Sequence, residues 1–214
     1  MSDFIAGAAV GVSQMVIGHP FDTATVLIQN RLKWKGLPLK SYYRGWKFPL
    51  VSATMFNCTV FPIYERTIKY TNSYWLSGFL GGFAVTPFVF AFDVGKIKQQ
   101  TQKPLTLNTV FTNYGKISTF ARETIAMSVY FGTYFTCRER EYHPLLSGAA
   151  AGIVNWTCTY PIDVVRSRQI SQNISIPQAI KQGNLWKGYP ICASRAIIVN
   201  AVNFWVYESV RKYL

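Results

Sequence analysis

Long apolar runs alternate with short polar ones along the chain. Apolar stretches broken by single polar groups predict helices over about 3–29, 46–68, 75–100, 116–137, 145–170 and 189–212. Each reaches the ~20 residues that a helix needs to cross the hydrocarbon core of a bilayer. Several contain Pro, Gly or polar side chains, which lipid tolerates where neighbouring helices shield them. The pattern therefore predicts a helical membrane bundle.

The pattern also repeats. Gly7-Ala8-Ala9-Val10-Gly11 recurs as Gly78-Phe79-Leu80-Gly81-Gly82 and as Gly148-Ala149-Ala150-Ala151-Gly152, at offsets of 71 and 70. Asp22, Asp93 and Asp163 keep the same offsets, and Gly45, Gly115 and Gly188 follow at 70 and 73. A fixed period marks a repeated structural unit. It divides the chain into helix pairs over 1–70, 71–142 and 143–214 within one domain. The predicted fold is all-α: six transmembrane helices, in three pseudo-symmetric two-helix repeats around a central cavity. The GxxxG spacing that opens each odd helix lets neighbouring backbones approach.

Charge separates two sides of this bundle. The net charge is +13, which raises nucleic acid as a partner. The bases, however, form no continuous stripe. Residues 30–47, 96–116 and 166–187 hold fourteen Lys and Arg and no acid, whereas the connections near 66–74 and 138–144 are mixed. Short basic loops stay on the side from which translocation is disfavoured. That puts the three basic linkers on one side and both chain ends on the other, with no role for nucleic acid. A basic soluble helical protein is the bland alternative.

Other chemistry is sparse. Cys58, Cys137, Cys158 and Cys192 fall inside apolar segments without CxxC spacing and read as small buried hydrophobes. His19 and His143 are too isolated for a metal site, so no metal is expected. No nucleophile–base pair or phosphate loop points to an enzyme. Met1–Phe4 runs straight into the first apolar segment, so targeting is expected to be internal.

A charged element closes each odd helix: Pro20-Phe21-Asp22-Thr23-Ala24-Thr25-Val26-Leu27-Ile28-Gln29, then Ala91-Phe92-Asp93-Val94-Gly95-Lys96-Ile97-Lys98-Gln99-Gln100, then Pro161-Ile162-Asp163-Val164-Val165-Arg166-Ser167-Arg168-Gln169-Ile170. Positions i, i+3 and i+7 share a helical face, so Asp22, Thr25 and Gln29 look one way, as do Asp93, Lys96 and Gln100. Charges at that depth cost about 2.5–3.5 kcal/mol each unless paired or hydrated, so pairing that forms and breaks would make a gate. The alternative is a set of charges lying near the membrane interface.

Triplication of Pro-x-acid-x-x-base-x-base-x-Gln resembles the signature of the mitochondrial carrier family. Tyr43-Arg44-Gly45 and Trp186-Lys187-Gly188 match its later aromatic-base-Gly element. The resemblance covers nearly the whole chain. It implies a multi-pass protein of the mitochondrial inner membrane, monomeric, with both termini toward the intermembrane space. It implies a matrix gate made by Asp22 with Lys96 and Asp93 with Arg166, braced by Gln29 and Gln100. Thr25 stands where the family has a base, so the bridge from Asp163 is expected to be missing, and Ile170 replaces the third bracing glutamine. Ala91 replaces the second kink proline, leaving Pro87 to bend that helix. On the cytoplasmic side Glu65, Arg138, Glu208 and Arg211 fit the pattern. Phe135 and Ile68 occupy an acid and a base position, so Glu65–Arg138 is the bridge expected there, with Lys69 as a substitute, and the outer gate is expected to be looser. The linkers, 15, 14 and 17 residues long, are shorter than in typical relatives. The helix those relatives lay along the matrix surface is expected to be reduced to a turn or lost.

The resemblance also locates a substrate site. Seven residues after Gly45, Gly115 and Gly188 stand Ser52, Arg122 and Arg195, where the family contacts substrate. Arg122 is followed by Glu123. Two arginines suit a carboxylate by forked hydrogen bonds, and Glu123 suits an ammonium group, unless the pair is a mutual salt bridge. Trp156, seven residues before Asp163, can cover a cationic group by cation–π contact or pack in the core. Ser52, Phe56 and Asn57 offer no second carboxylate. The Arg–acid pair and Arg195–Phe204 resemble the ornithine/carnitine branch, which implies exchange of an amino acid, carnitine or a related amine. A nucleotide or other solute carrier, or a degenerate non-transporting scaffold, are the alternatives. Arg44, Gly45, Gly115, Lys187 and Gly188 begin even helices, whose free N–H groups attract anions and suit a cardiolipin phosphate as in relatives. No cofactor is implied.

Overall fold

The computed structural model describes the backbone of residues 2–196, 198–199 and 202, and their side chains other than those of 2–12, 14, 50, 53–54, 57 and 145. Every regular element among the described residues is helical. Long helices α1 (Ser2–Gln29), α3 (Lys47–Thr71), α4 (Tyr74–Gln100), α6 (Lys116–Glu139) and α7 (Pro144–Gln172) alternate with the short linker helices α2 (Leu39–Tyr42), α5 (Leu107–Thr112) and α8 (Ile176–Lys181). A further helix, α9, begins over 189–196.

The chain punctuates these helices with ordinary local chemistry. Asn72 adopts the left-handed conformation (φ 48°) that closes α3, and the Ser73 side chain accepts from the Leu76 N–H to open α4. In the linkers, Thr106 N–H donates to Thr109 Oγ1 (3.0 Å), and Ser175 N–H to Gln178 Oε1 (2.9 Å). These reciprocal caps keep a turn or so of helix in linkers of 14 and 17 residues. The linkers thus keep short helices, α2, α5 and α8.

Helix α4 packs against α3 on one side and α6 on the other, and α6 packs on α7. Glycines set how close these helices come. A Cβ on Gly78 would lie 2.4 Å from the Met127 carbonyl oxygen, and one on Gly82 would lie 2.4 Å from that of Glu123. On the α3 side, Gly81 faces Val60 at an ordinary 3.4 Å. Val60, Tyr64, Val85, Val89 and Phe131 fill the seam between α3, α4 and α6, while Val26, Phe90, Val94, Ile97 and Ile170 tie α1, α4 and α7 together.

By length and composition alone, α4 is the helix among the described residues that passes as a membrane span. The other long helices reach comparable length, and some of their polar groups, among them Gln29, Glu123 and Arg168, are buried while others, such as Glu65 and Lys69, are exposed. Helix α4 continues unbroken through Pro87. The cysteines depart from expectation. Cys192 is buried, but Cys58 and Cys158 lie on the outer surface and Cys137 is half-buried. An apolar bundle exterior accommodates a thiol as readily as the interior does, so burial could not be inferred from hydrophobic context.

Gly82→Ala is expected to lower the thermal unfolding temperature in detergent by an amount equivalent to about 1–3 kcal/mol, the usual cost of overpacking. Gly81→Ala, one residue away, is expected to leave it nearly unchanged. Equal effects would refute the close α4–α6 approach.

Candidate functional site

Charges from the ends of α1, α4 and α7 meet on one interior level. Lys96 Nζ donates to Asp22 Oδ2 at 3.0 Å, joining α4 to α1. Arg166 Nη1 lies 2.7 Å from Asp93 Oδ2, joining α7 to α4. Between α7 and α1 stands Thr25, whose buried hydroxyl has no hydrogen-bond partner. There Gln29 Nε2 donates to Asp163 Oδ2 at 3.0 Å, a neutral link in place of an ionic one. Gln100 Nε2 donates to Thr23 Oγ1 (3.0 Å), and Ile170 sits in the apolar cluster with Val26 and Phe90.

Arg122, Glu123, Arg195, Ser52 and Trp156 line one cavity of about 430 Å³ together with those charges. Arg122 Nη1 contacts Glu123 Oε1 at 2.7 Å, and its Nε faces Asp163 Oδ1 at 3.7 Å. Arg195 Nε lies 2.6 Å from Asp22 Oδ1. The Trp156 ring covers a guanidinium, that of Arg122, with Cζ 5.5 Å from the ring centroid. Asn57 is on α3, its side chain outside the described residues.

Glu123 requires a correction. Expected to be open to an ammonium group, its side chain is 1% exposed and held between Arg122 and Arg166 Nη1 (3.2 Å). Both arginines already occupy the carboxylate, on the cavity side of the helix whose Glu123 carbonyl abuts Gly82. The mutual Arg122–Glu123 pair is made, and Glu123 Oε2 stays buried without a hydrogen bond. Among the described residues four carboxylates (Asp22, Asp93, Glu123, Asp163) and four bases (Lys96, Arg122, Arg166, Arg195) line the cavity.

Toward the other end, the Glu65–Arg138 bridge is not formed. Glu65 is exposed, as is Lys69, and Arg138 Nη1 donates instead to the Tyr142 carbonyl at 2.6 Å, capping the end of α6. Aromatic stacking takes the place of charge there. Phe135 stacks on Tyr64 and Tyr74 with centroids 5.5 and 5.0 Å apart, and Tyr74 Oη donates to Glu139 at 2.8 Å. Glu208 and Arg211 lie outside the described residues. Of the linker glycines, Gly45 (φ 78°) and Gly188 (φ 96°) adopt the left-handed conformation, whereas Gly115 caps α6 at φ −70°. Arg44 and Lys187 precede the two left-handed turns.

The sequence reading passed over Phe48, Phe92 and Cys192, which also line the cavity. Helical spacing carries a signal for two of them: Phe48 is four residues before Ser52, and Cys192 three before Arg195.

Asp22→Ala would leave both Lys96 and Arg195 unpaired, whereas Lys96→Ala leaves Asp22 paired with Arg195. Asp22→Ala is therefore expected to destabilise the solubilised protein by about 3–5 kcal/mol, the cost of orphaning buried charge, and Lys96→Ala by clearly less. Thermal unfolding of both variants checks the order. The reverse order would contradict the pairing.

Comparison with known proteins bears on these charges. The family model described as "Mitochondrial carrier protein" matches residues 138–214. Solute carrier family 25 member 45 of Homo sapiens is 25% identical over 286 aligned positions, covering 100% of this chain and 99% of that protein. The mitochondrial basic amino acids transporter of Bos taurus is 28% identical, covering 99% of this chain and 91% of its own length. The mitochondrial arginine transporter BAC2 of Arabidopsis thaliana is 27% identical, with 96% and 89% covered. An alignment of 286 positions against a chain of 214 residues means that the relative carries segments this chain lacks.

Proposed function

We propose that this chain is a member of the mitochondrial carrier family and moves a small metabolite bearing a carboxylate and an amine across the mitochondrial inner membrane by alternating access. The substrate class is an amino acid, carnitine or a related amine, taken in exchange. The observation that carries this reading is the convergence of Arg122, Arg195 and Trp156, from three different helices, on one cavity whose formal charges cancel. Its volume of about 430 Å³ falls within the range of small-molecule sites. A carboxylate would bind the forked donors of Arg195 and Arg122, and a cationic end would lie over Trp156 or near Asp163. The names of the amino-acid transporters among its relatives support the same class. A nucleotide would bring several negative charges against four carboxylates already in the cavity.

In this reading six membrane helices form three repeats, and the paired Asp22–Lys96 and Asp93–Arg166 close the end bearing the basic linkers. Without a Glu65–Arg138 pair, the opposite end would be the one that opens, toward the intermembrane space together with both termini. Anionic lipid phosphate, as from cardiolipin, would seat at the turns of Arg44-Gly45 and Lys187-Gly188. The glycine conformation shared by these two turns, and not by Gly115, supports two such sites over three.

Uptake into proteoliposomes of labelled arginine, ornithine, carnitine, neutral amino acids and nucleotides tests the proposal. At least one of the carboxylate-bearing amines is expected to be taken up saturably, with Arg195→Gln reducing that uptake at least about tenfold, as for loss of one charge-assisted contact. Uptake of nucleotides alone would overturn the substrate class, and uptake of nothing would favour a scaffold.

A further inference from the structure

Asp163 stands at the edge where the pattern of paired charges is incomplete. From α1 it receives one neutral hydrogen bond, from Gln29. Thr25, one turn earlier on the same face, brings no charge, and its own hydroxyl is buried and unpartnered. On α7 itself Arg166 Nη2 reaches Asp163 at 2.9 Å, but the same guanidinium also faces Asp93 and Glu123. One positive charge cannot offset three carboxylates in a site where uncompensated charge is costly. The second base facing these carboxylates is Arg122, at 2.7 Å from Glu123 and 3.7 Å from Asp163, which narrows the deficit to one charge.

We propose that Arg122 replaces the base absent at Thr25, so that one arginine both holds the linker end shut through Asp163 and receives the carboxylate of the solute. This deepens the transport reading and rests on it. The consequence is a direct competition. A solute carboxylate that engages the Arg122 guanidinium draws it away from Asp163 and leaves that acid with a neutral link to α1. Binding thereby takes compensating charge from Asp163 beside the α7–α1 edge, and release of the solute restores it. Opening is thus tied to the anionic end of the solute at α6–α7 rather than shared equally among three edges.

Cys192 provides a reporter, because it lines the cavity and is buried from outside. In full-length protein carrying Ser at positions 58, 137 and 158, a membrane-impermeant maleimide is applied in liposomes from the face of the basic linkers, without solute. Arg122→Gln is expected to speed Cys192 labelling from that face about tenfold or more, within the range for removing one partner of a buried ion pair. Adding Thr25→Lys to Arg122→Gln is expected to return labelling close to that of the parent while uptake stays low, since the new lysine closes the edge but binds no solute. Labelling unchanged by Arg122→Gln, or not restored by Thr25→Lys, overturns the proposal. Should Arg122→Gln fail to insert, Thr25→Lys in the parent decides the matter: slower labelling supports the shared role, and unchanged labelling refutes it. Because labelling needs no transported solute, failure of the uptake assay leaves this test intact.

Discussion

Charge compensation inside an apolar bundle is the constraint on which the rest of the structure depends. Among the described residues, four carboxylates and four bases line one cavity, at a depth where uncompensated charge is costly. Each must therefore find a partner across a helix boundary, and the partners found determine which helices are held together. Asp22 with Lys96 holds α1 to α4, and Asp93 with Arg166 holds α4 to α7. Such pairs add little net stability over an apolar packing of the same volume, but losing one partner is expensive. That asymmetry suits a device that must close firmly and still open when something else supplies the partner.

The packing around these charges is uneven. Between α3, α4 and α6, close glycine contacts and a stack of Tyr64, Phe131 and Phe135 give a tight seam, with ring centroids of Tyr64 and Phe131 4.1 Å apart. Glu123 is trapped in that seam and acts as an internal counter-charge. Arg195 and Arg122 keep one side toward the cavity while leaning on Asp22 and Asp163. The proposed solute contacts therefore belong to the two clusters of paired charge, Arg195 to that of Asp22 and Lys96, and Arg122 to that of Asp163, Glu123, Arg166 and Asp93.

This also explains how a chain with clipped linkers retains its interior. The linker helices α2, α5 and α8 are a turn or so long, yet the turns that start α3 and α9 keep left-handed glycines at Gly45 and Gly188.

The sequence by itself determined the long helices α1, α3, α4, α6 and α7 and the charged positions near the ends of α1, α4 and α7. Helix bounds follow from apolar run length, and the alignment of Asp22, Asp93 and Asp163 follows from 3.6-residue geometry and a constant repeat. Both are local properties of the chain. Which partner each charge takes was decided by the tertiary structure. Arg122 leans on Asp163, Arg195 on Asp22, and Arg138 on a backbone carbonyl instead of Glu65. Long arginine side chains reach several acceptors from one backbone position, and the choice among them depends on how closely α4 and α6 approach and on what Thr25 leaves empty. Those are distances between helices, and no spacing along a single chain encodes them.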